Sequence, residues 1–415
     1  MFKKKNKNYF HHFKKWIKKL FHREEQPSFN MVEVTVVIVI SILFGIIVGC
    51  ILTYGKGVAK GTEDKYAKEL LSTYETIVDN YYGGADKEEI VNAAIDGMVN
   101  SLGDQHSYYM DDTETFDFNQ RVNGKYIGIG ATVSYTEENG NTVIEIFKDS
   151  PADKAGLKVG DRILEVGDTD VSSYTLSELS ALLVGDEGTK VRVVVQREDS
   201  KKTFMITRGE VVITSVNSKL LDVSGKNVGY IDIDIFAANT YSQFKKSLKA
   251  LEKENIKGLI IDVRDNTGGH LSQVNKILSL FFDKKTVLYQ IETKNNLENV
   301  YAEGKDKREY DVVVLINCAS ASASEILASS FQNNYKNATI VGLQSYGKGT
   351  IQNAIQLTTG ASLKYTTQRW LTSEGEWLNE VGVVPDESIN IEDDYYEVAG
   401  NGDTQFKRAL EILSK

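Results

Sequence analysis

GLIIDVRDNTGGH, residues 258–270, opens on an apolar run and closes on two adjacent glycines. A short apolar run bounded by turn formers reads as a strand buried on both faces, as at the centre of a parallel sheet. After the glycines, Leu271, Val274, Leu278 and Phe281 recur at helical spacing, so the stretch is a strand–turn–helix unit. The unit recurs along the chain. Residues 228–236 alternate as a strand and lead into a helical face of Tyr241, Phe244, Leu248 and Leu251; 311–317 is a third strand, with a helix through Phe331; 338–343 is a fourth. Repeated strand–helix units imply an α/β core with a largely parallel sheet and crossover helices. Asp262 and Arg264, two apart on the first strand, read as a structural ion pair.

Upstream the periodicity changes twice. Residues 142–146, 162–166, 190–196 and 203–207 are short β-rich runs separated by Gly and Asp turns, with one helical stretch at 176–183, the pattern of a compact β-rich module over 117–208. Before it, Tyr66, Leu70, Tyr74, Ile77 and Tyr81 form one helical stripe, and Ile90, Ala94, Met98 and Leu102 a second, within a helical segment at 56–116. These stripes must cover something, either the rest of the chain or a second copy in a homodimer. Downstream, 363–367 is β-rich, and 404–413 forms a helix in a tail at 393–415; the α/β core is placed at 209–392.

The first thirty residues carry nine Lys/Arg against two Glu, whereas the whole chain has a net charge of −10. An acidic body argues against a nucleic-acid partner. Residues 34–54, VTVVIVISILFGIIVGCILTY, hold no charge and are long enough to cross a bilayer. With the basic leader (1–30) in front, the positive-inside rule puts the N-terminus in the cytoplasm and everything after a transmembrane helix at 31–55 outside. The leader is long for a signal peptide and no Ala-x-Ala site comes after it, so the span reads as an uncleaved anchor. There are two cysteines, Cys50 in this span and Cys318, which gives no disulfide framework. Cys318, read as lying inside an apolar strand, is expected to be a packed core residue.

Two motifs carry chemistry. SASASE at 320–325 lies between a strand and a helix, where α/β sheets place reactive groups. A capped helix start, with Glu325 completing a capping box, accounts for the same residues. The segment GLQSYGKG at 342–349 is one residue from a phosphate-binding loop, but Gly349 stands where Ser or Thr is needed and a β-rich stretch comes next in place of a helix. Lys348 is then open to another use. A serine nucleophile needs a base, and neither His106 nor His270 presents itself as one; a lysine kept neutral by burial is the known alternative. The glycines at 268–269 could aim backbone N–H groups at an oxyanion or form a plain turn. In the β-rich module, YIGIG at 126–130 and DSPADKAGLKVGDRIL at 149–164 closely resemble a PDZ domain, whose glycine loop captures a terminal carboxylate while the adjoining strand edge pairs with the peptide.

In this order, LGDQHS at 102–107, the PDZ signatures, DVRDNTGG at 262–269, the stretch from Ser320 to Gln352 and VGVVPD at 381–386 resemble the C-terminal processing peptidases, the S41 or tail-specific protease family. The resemblance covers about 62–392. It implies a crotonase/ClpP-like α/β protease core with an inserted PDZ domain. It further implies Ser322 as nucleophile, Lys348 as general base and Gln352 as the group that orients the lysine, with backbone N–H groups at Gly268 or Gly269 and Ala323 binding the oxyanion. Ser322 is set apart from Ser320 and Ser324 by register with Glu325 alone. Gly128, Ile129 and Gly130 would take the substrate's carboxylate, the substrates being proteins or peptides with free C-termini. No metal or cofactor is called for. A membrane-tethered PDZ scaffold without catalysis is the competing reading, and an acyl-transferring crotonase relative a third.

Overall fold

The computed structural model describes residue 15, residues 64–305, 308–391, 399–400 and 402–415. The expected span at 34–54 lies outside the described residues; among those described, no helix is long and apolar enough to cross a membrane. The chain divides into two compact units, Met1–Val91 and Asn92–Lys415. In the first, the helix Lys65–Asn80 starts where the Asp64 side chain accepts the Tyr66 amide at 2.8 Å, and none of its residues is buried.

The core of the second unit is a six-stranded sheet: β1 (Val216–Val223), β2 (Lys226–Ile233), β3 (Gly258–Asp262), β4 (Asp311–Ile316), β5 (Ala338–Gly342) and β6 (Glu387–Ser388), in that spatial order. β1 and β2 form an antiparallel hairpin and every later pair is parallel. Four helices cover it: α1 (Thr240–Lys253), α2 (Leu271–Leu278), α3 (Ala323–Asn334) and α4 (Thr404–Ser414). The alternation of strand side chains divides the core between two faces. Leu259 and Ile261 of β3 join Phe244, Val274 and Phe331 from α1–α3 and Phe281 just beyond α2, while Ile260 joins Phe406 and Leu413 of α4. Burial on both faces is why the 258–262 stretch is apolar without a break.

The expected Asp262–Arg264 ion pair is present and extends to the tail. Arg264 contacts Asp262 at 2.6 Å and Asp403 at 2.8 Å, both carboxylates essentially inaccessible, and Gln405 at 3.0 Å. Asp403 also caps α4, accepting the Phe406 amide at 2.9 Å.

A second sheet holds the strands Tyr108–Met110, Ser362–Thr372, Val287–Glu292 and Leu297–Tyr301, with Thr350–Gln356 added against Ser362–Thr372. The hairpin at 287–301 was not legible from periodicity. The β-rich module packs six strands around Ile129, Val143, Ile163, Leu179, Val193 and Ile206, with helices Pro151–Ala155 and Leu176–Leu183. Its entry and exit strands, Lys125–Gly128 and Gly209–Val212, pair with each other. Next to that joint, Asn239 donates to the carbonyls of Gly124 (2.7 Å) and Ile213 (3.1 Å).

Two expectations are corrected. Cys318 is exposed, because β4 ends at Ile316 and the chain has already turned. Residues 112–123, split by the sequence reading between a helical segment and a β-rich one, form a single helix, Asp112–Asn123. It opens with a capping box between Asp111 and Glu114 and ends at Gly124 in the left-handed region.

Candidate active site

The loops after β3, β4 and β5 meet at the carboxyl ends of those strands, where open parallel sheets place ligands. The loops after β3 and β4 are laced together. Ala321 donates its amide to the Asn266 carbonyl at 3.0 Å, and Asp265 and Asn317 exchange hydrogen bonds at 3.0 and 2.9 Å.

This lacing sorts the three serines. Ser320 is fully buried, donating its hydroxyl to the Val263 carbonyl at 2.8 Å and accepting the Asn317 amide at 2.9 Å. Ser324 is equally buried and donates to the Asn266 carbonyl at 2.8 Å. Ser322 alone of the three is partly accessible, and its backbone is at φ 56°, ψ −111°. A non-glycine residue there carries strain of order 1–3 kcal/mol. A strained turn between a strand and a helix also lifts a side chain clear of its neighbours, as in a nucleophile elbow.

Glu325, on the first turn of α3 and fully buried, ties this turn to the loop after β5. Its Oε2 accepts the amides of Ser322 (2.7 Å) and Lys348 (2.9 Å), and its Oε1 accepts the Ser345 hydroxyl and the Gly347 amide, each at 2.6 Å. The capping-box residue therefore serves two loops. Beyond Lys348 the chain is gripped by two indoles: Trp370 donates to the Lys348 carbonyl at 2.8 Å and Trp377 to the Gly349 carbonyl at 3.0 Å. A Cβ on Gly349 would fall 2.5 Å from the Trp377 nitrogen, which accounts for the glycine that spoils a phosphate loop. The chain then enters the strand Thr350–Gln356 rather than a helix.

Burial pushes the Lys348 amine down to about 8, with the Lys364 ammonium acting in the same direction and Asp104 and Glu325 opposing. Burial also lowers Lys364 itself, which donates to the Tyr108 hydroxyl at 3.0 Å. Gln352 sits at a bulge in its pairing with Ser362–Thr372, where an extra residue re-aims side chains. Its amide nitrogen donates to the hydroxyls of Thr350 (2.9 Å) and Thr366 (3.0 Å), leaving Oε1 as its acceptor end.

Gly268 and Gly269 have φ of 105° and 139°. A Cβ on Gly268 would lie 2.9 Å from that of Ser322 and 3.1 Å from the Ala323 nitrogen, so this turn lies directly against the serine. The Gly268 amide, one of the expected oxyanion donors, already donates to Asn266 Oδ1 at 2.9 Å. Ala323 begins α3, and a first-turn N–H has no partner within its helix.

Sequence reasoning assigned no role to LGDQHS, which packs against the same sheet. Asp104 accepts the Ser107 hydroxyl at 2.6 Å, and Ser107 in turn accepts the Thr366 amide at 3.0 Å. Burial alone would raise the Asp104 carboxyl, but hydrogen bonds from Ser107 and Thr366 hold it below the usual range. Burial, then the charge of Lys348, lowers His106. The signal was the residue types themselves; only strand pairing of Tyr108–Met110 with Ser362–Lys364 reveals where they go.

In the β-rich module, the strand Lys125–Gly128 leads into Ile129 and Gly130. The buried Ile129 side chain lines a cavity of about 350 Å³ between the helix Leu176–Leu183 and the strand Ala131–Thr136. Burial, then the charge of Glu145, pushes the Tyr126 phenol in this cavity up to about 12, partly offset by the Gly130 amide.

Three family models match the sequence: peptidase family S41 over residues 227–389, a PDZ domain over 142–197, and the N-terminal domain of activating protease CtpB over 54–115. Among curated proteins, carboxy-terminal processing protease CtpB of Bacillus subtilis (strain 168) is 35% identical over 357 residues, which is 85% of this chain and 73% of that one. CtpA of the same organism is 34% identical over 335 residues, 80% and 71% of the two chains. Among solved structures, the photosystem II D1 C-terminal processing protease is 25% identical, covering 84% of this chain and 92% of that one with a TM-score of 0.48.

Proposed function

The chain belongs to peptidase family S41 and is a carboxy-terminal processing serine protease, and from that premise we propose that it cuts through Ser322, Lys348 and Gln352. The observation that carries this reading is the pair of amides, from Ser322 and Lys348, that share Oε2 of Glu325. A base must be held near its nucleophile, and a lysine must be neutral to serve; burial supplies the second condition at a pH near 8.

In this mechanism Lys348 Nζ takes the Ser322 Oγ proton as Oγ attacks the scissile carbonyl carbon. The oxyanion is met by the Ala323 amide and by Gly269 in the adjoining turn. The resulting ammonium returns the proton to the departing amine, leaving an ester on Ser322. Water, deprotonated by Lys348, then releases the acyl group and restores the serine. Gln352, steadied by two threonine hydroxyls, offers Oε1 to the Lys348 amine.

The PDZ module is read as the site that takes the C-terminal tail of a polypeptide substrate through the loop at Gly128, Ile129 and Gly130. The uncharged 34–54 stretch behind its basic leader supports a membrane anchor with the catalytic part outside, hence exported substrates. The apolar stripe of Lys65–Asn80 supports pairing with a second copy.

Purified Ser322→Ala and Lys348→Ala proteins test the chemistry on a peptide with an unstructured C-terminus. Both should lose cleavage while keeping the wild-type circular dichroism spectrum. Cleavage retained by either overturns the assignment.

A further inference from the structure

Asp104, to which the mechanism gives no part, is linked to Gln352 through Ser107 and Thr366. Its Oδ1 accepts the His106 amide at 3.0 Å, which closes a local turn, and its Oδ2 accepts the Ser107 hydroxyl at 2.6 Å. Ser107 is buried. Having given its only hydroxyl proton to Asp104, it turns a lone pair to the Thr366 amide at 3.0 Å. Thr366 lies directly opposite Gln352 in the antiparallel pairing of Thr350–Gln356 with Ser362–Thr372, and its hydroxyl accepts the Gln352 side-chain amide at 3.0 Å. The turn needs only the first of these bonds, and the others lead to the site.

The direction of the bonds decides which way round the Gln352 amide sits. A glutamine side chain has nearly the same shape with its oxygen and nitrogen exchanged, so the choice falls to its hydrogen-bond partners. Thr350 does not make that choice, because a hydroxyl can either give or accept. Thr366 does. Its side chain also hydrogen-bonds to Asp104, whose carboxyl is held below its ordinary value and, being ionised, only accepts. The Thr366 proton is thus directed to the carboxylate, and its oxygen is left for an N–H donor. That donor is Gln352 Nε2, which keeps Oε1 as the acceptor end. Asp104 is also near enough for its charge to act on the Lys348 amine, together with Lys364 and Glu325, so the network ends beside the base.

We propose that Asp104 is a positioning residue for the catalytic lysine: through Ser107 and Thr366 it fixes the Gln352 amide with its oxygen available to Lys348. The proposal rests on the reading of Gln352 given above.

The test compares kcat for cleavage of a peptide with an unstructured C-terminus by the full-length protein in mild detergent, using variants that keep the wild-type circular dichroism spectrum. Asp104→Asn keeps the size of the side chain but replaces one acceptor oxygen with an NH₂ donor. Its kcat should fall about tenfold with KM little changed, whereas a residue that only closes the turn would lower the thermal midpoint and leave kcat alone. In a Gln352→Ala background the same change should cost less than about twofold, because the residue it acts through is gone. Thr366→Val removes the hydroxyl at nearly constant size and should show the same dependence on Gln352, with Thr366→Ser recovering most of the loss. That pair decides the matter if Asp104→Asn does not fold. An unchanged kcat in Asp104→Asn, or an equal loss with and without Gln352, overturns the proposal. If Gln352→Ala by itself keeps full activity, the reading of Gln352 fails and the proposal with it, whereas an impaired Gln352→Ala protein combined with additive losses removes the proposal alone.

Discussion

Ser322 and Lys348 donate their backbone amides to one and the same oxygen, Oε2 of Glu325, at 2.7 and 2.9 Å. Two loops far apart in sequence are thereby fixed to a common point by a side chain on the first turn of a core helix.

Glu325→Gln keeps the shape of that side chain but replaces one of its acceptors with an NH₂ group that would face N–H or O–H donors. Since the carboxylate takes four such bonds, the variant should unfold about 2–4 kcal/mol more easily. It should also lose on the order of a hundredfold in kcat, with a smaller change in KM. Urea titration and steady-state kinetics on a peptide substrate check the two parts separately.

With the Lys348 amine near 8, kcat/KM should rise as pH increases through that value and then level off, since the neutral amine is the active form. Lys364→Met removes the second cause of the depression and should move the midpoint upward, by as much as about one pH unit. A pH–rate profile that stays in place would show that the titrating group is not Lys348.

Keeping that lysine buried has a cost with a definite sign. Its folded value lies below the ordinary lysine value of 10.5, so the unfolded chain binds the proton more tightly. Stability is therefore lowest below pH 8 and recovers between about 8 and 10.5. The depression corresponds to about 3 kcal/mol at neutral pH. Lys348→Met should be inactive yet melt higher than the wild type at pH 7, with the gap closing at pH 10.

The neighbouring serines should separate by readout. Ser320→Ala removes a buried hydroxyl that bonds the Val263 carbonyl and leaves the Asn317 amide without its acceptor, and Ser324→Ala removes the bond to the Asn266 carbonyl; each should cost about 1–3 kcal/mol while still reacting with a fluorophosphonate probe. Ser322→Ala should keep its stability, or gain some, and lose all labelling.

Asp403→Ala would leave Arg264 buried with one of its two carboxylate partners. A loss of about 3–5 kcal/mol is expected, visible as a lower urea midpoint and as earlier proteolysis of the C-terminal helix.

The parallel sheet was legible because a strand covered on both faces has to be apolar throughout, and the 258–262 stretch is; helix α1 was legible because one face of it must be. The Asp262–Arg264 pair came from strand alternation. The hairpin at 287–301 escaped, its side chains being mostly half-buried or exposed and therefore without a clear pattern. Cys318 misled because an apolar run does not mark the residue at which a strand ends.

The sequence by itself determined the order of elements, the serine and lysine motifs and the near miss at Gly349, since each depends on neighbours along the chain. It set Ser322 apart from Ser320 and Ser324 by register with Glu325 alone and gave LGDQHS no place. Tertiary structure shows which of the three serines is partly accessible and where LGDQHS packs. Whether a hydroxyl is spent on a carbonyl, or a lysine loses its water, depends on what the fold brings from elsewhere in the chain, and that partner has no fixed distance in sequence.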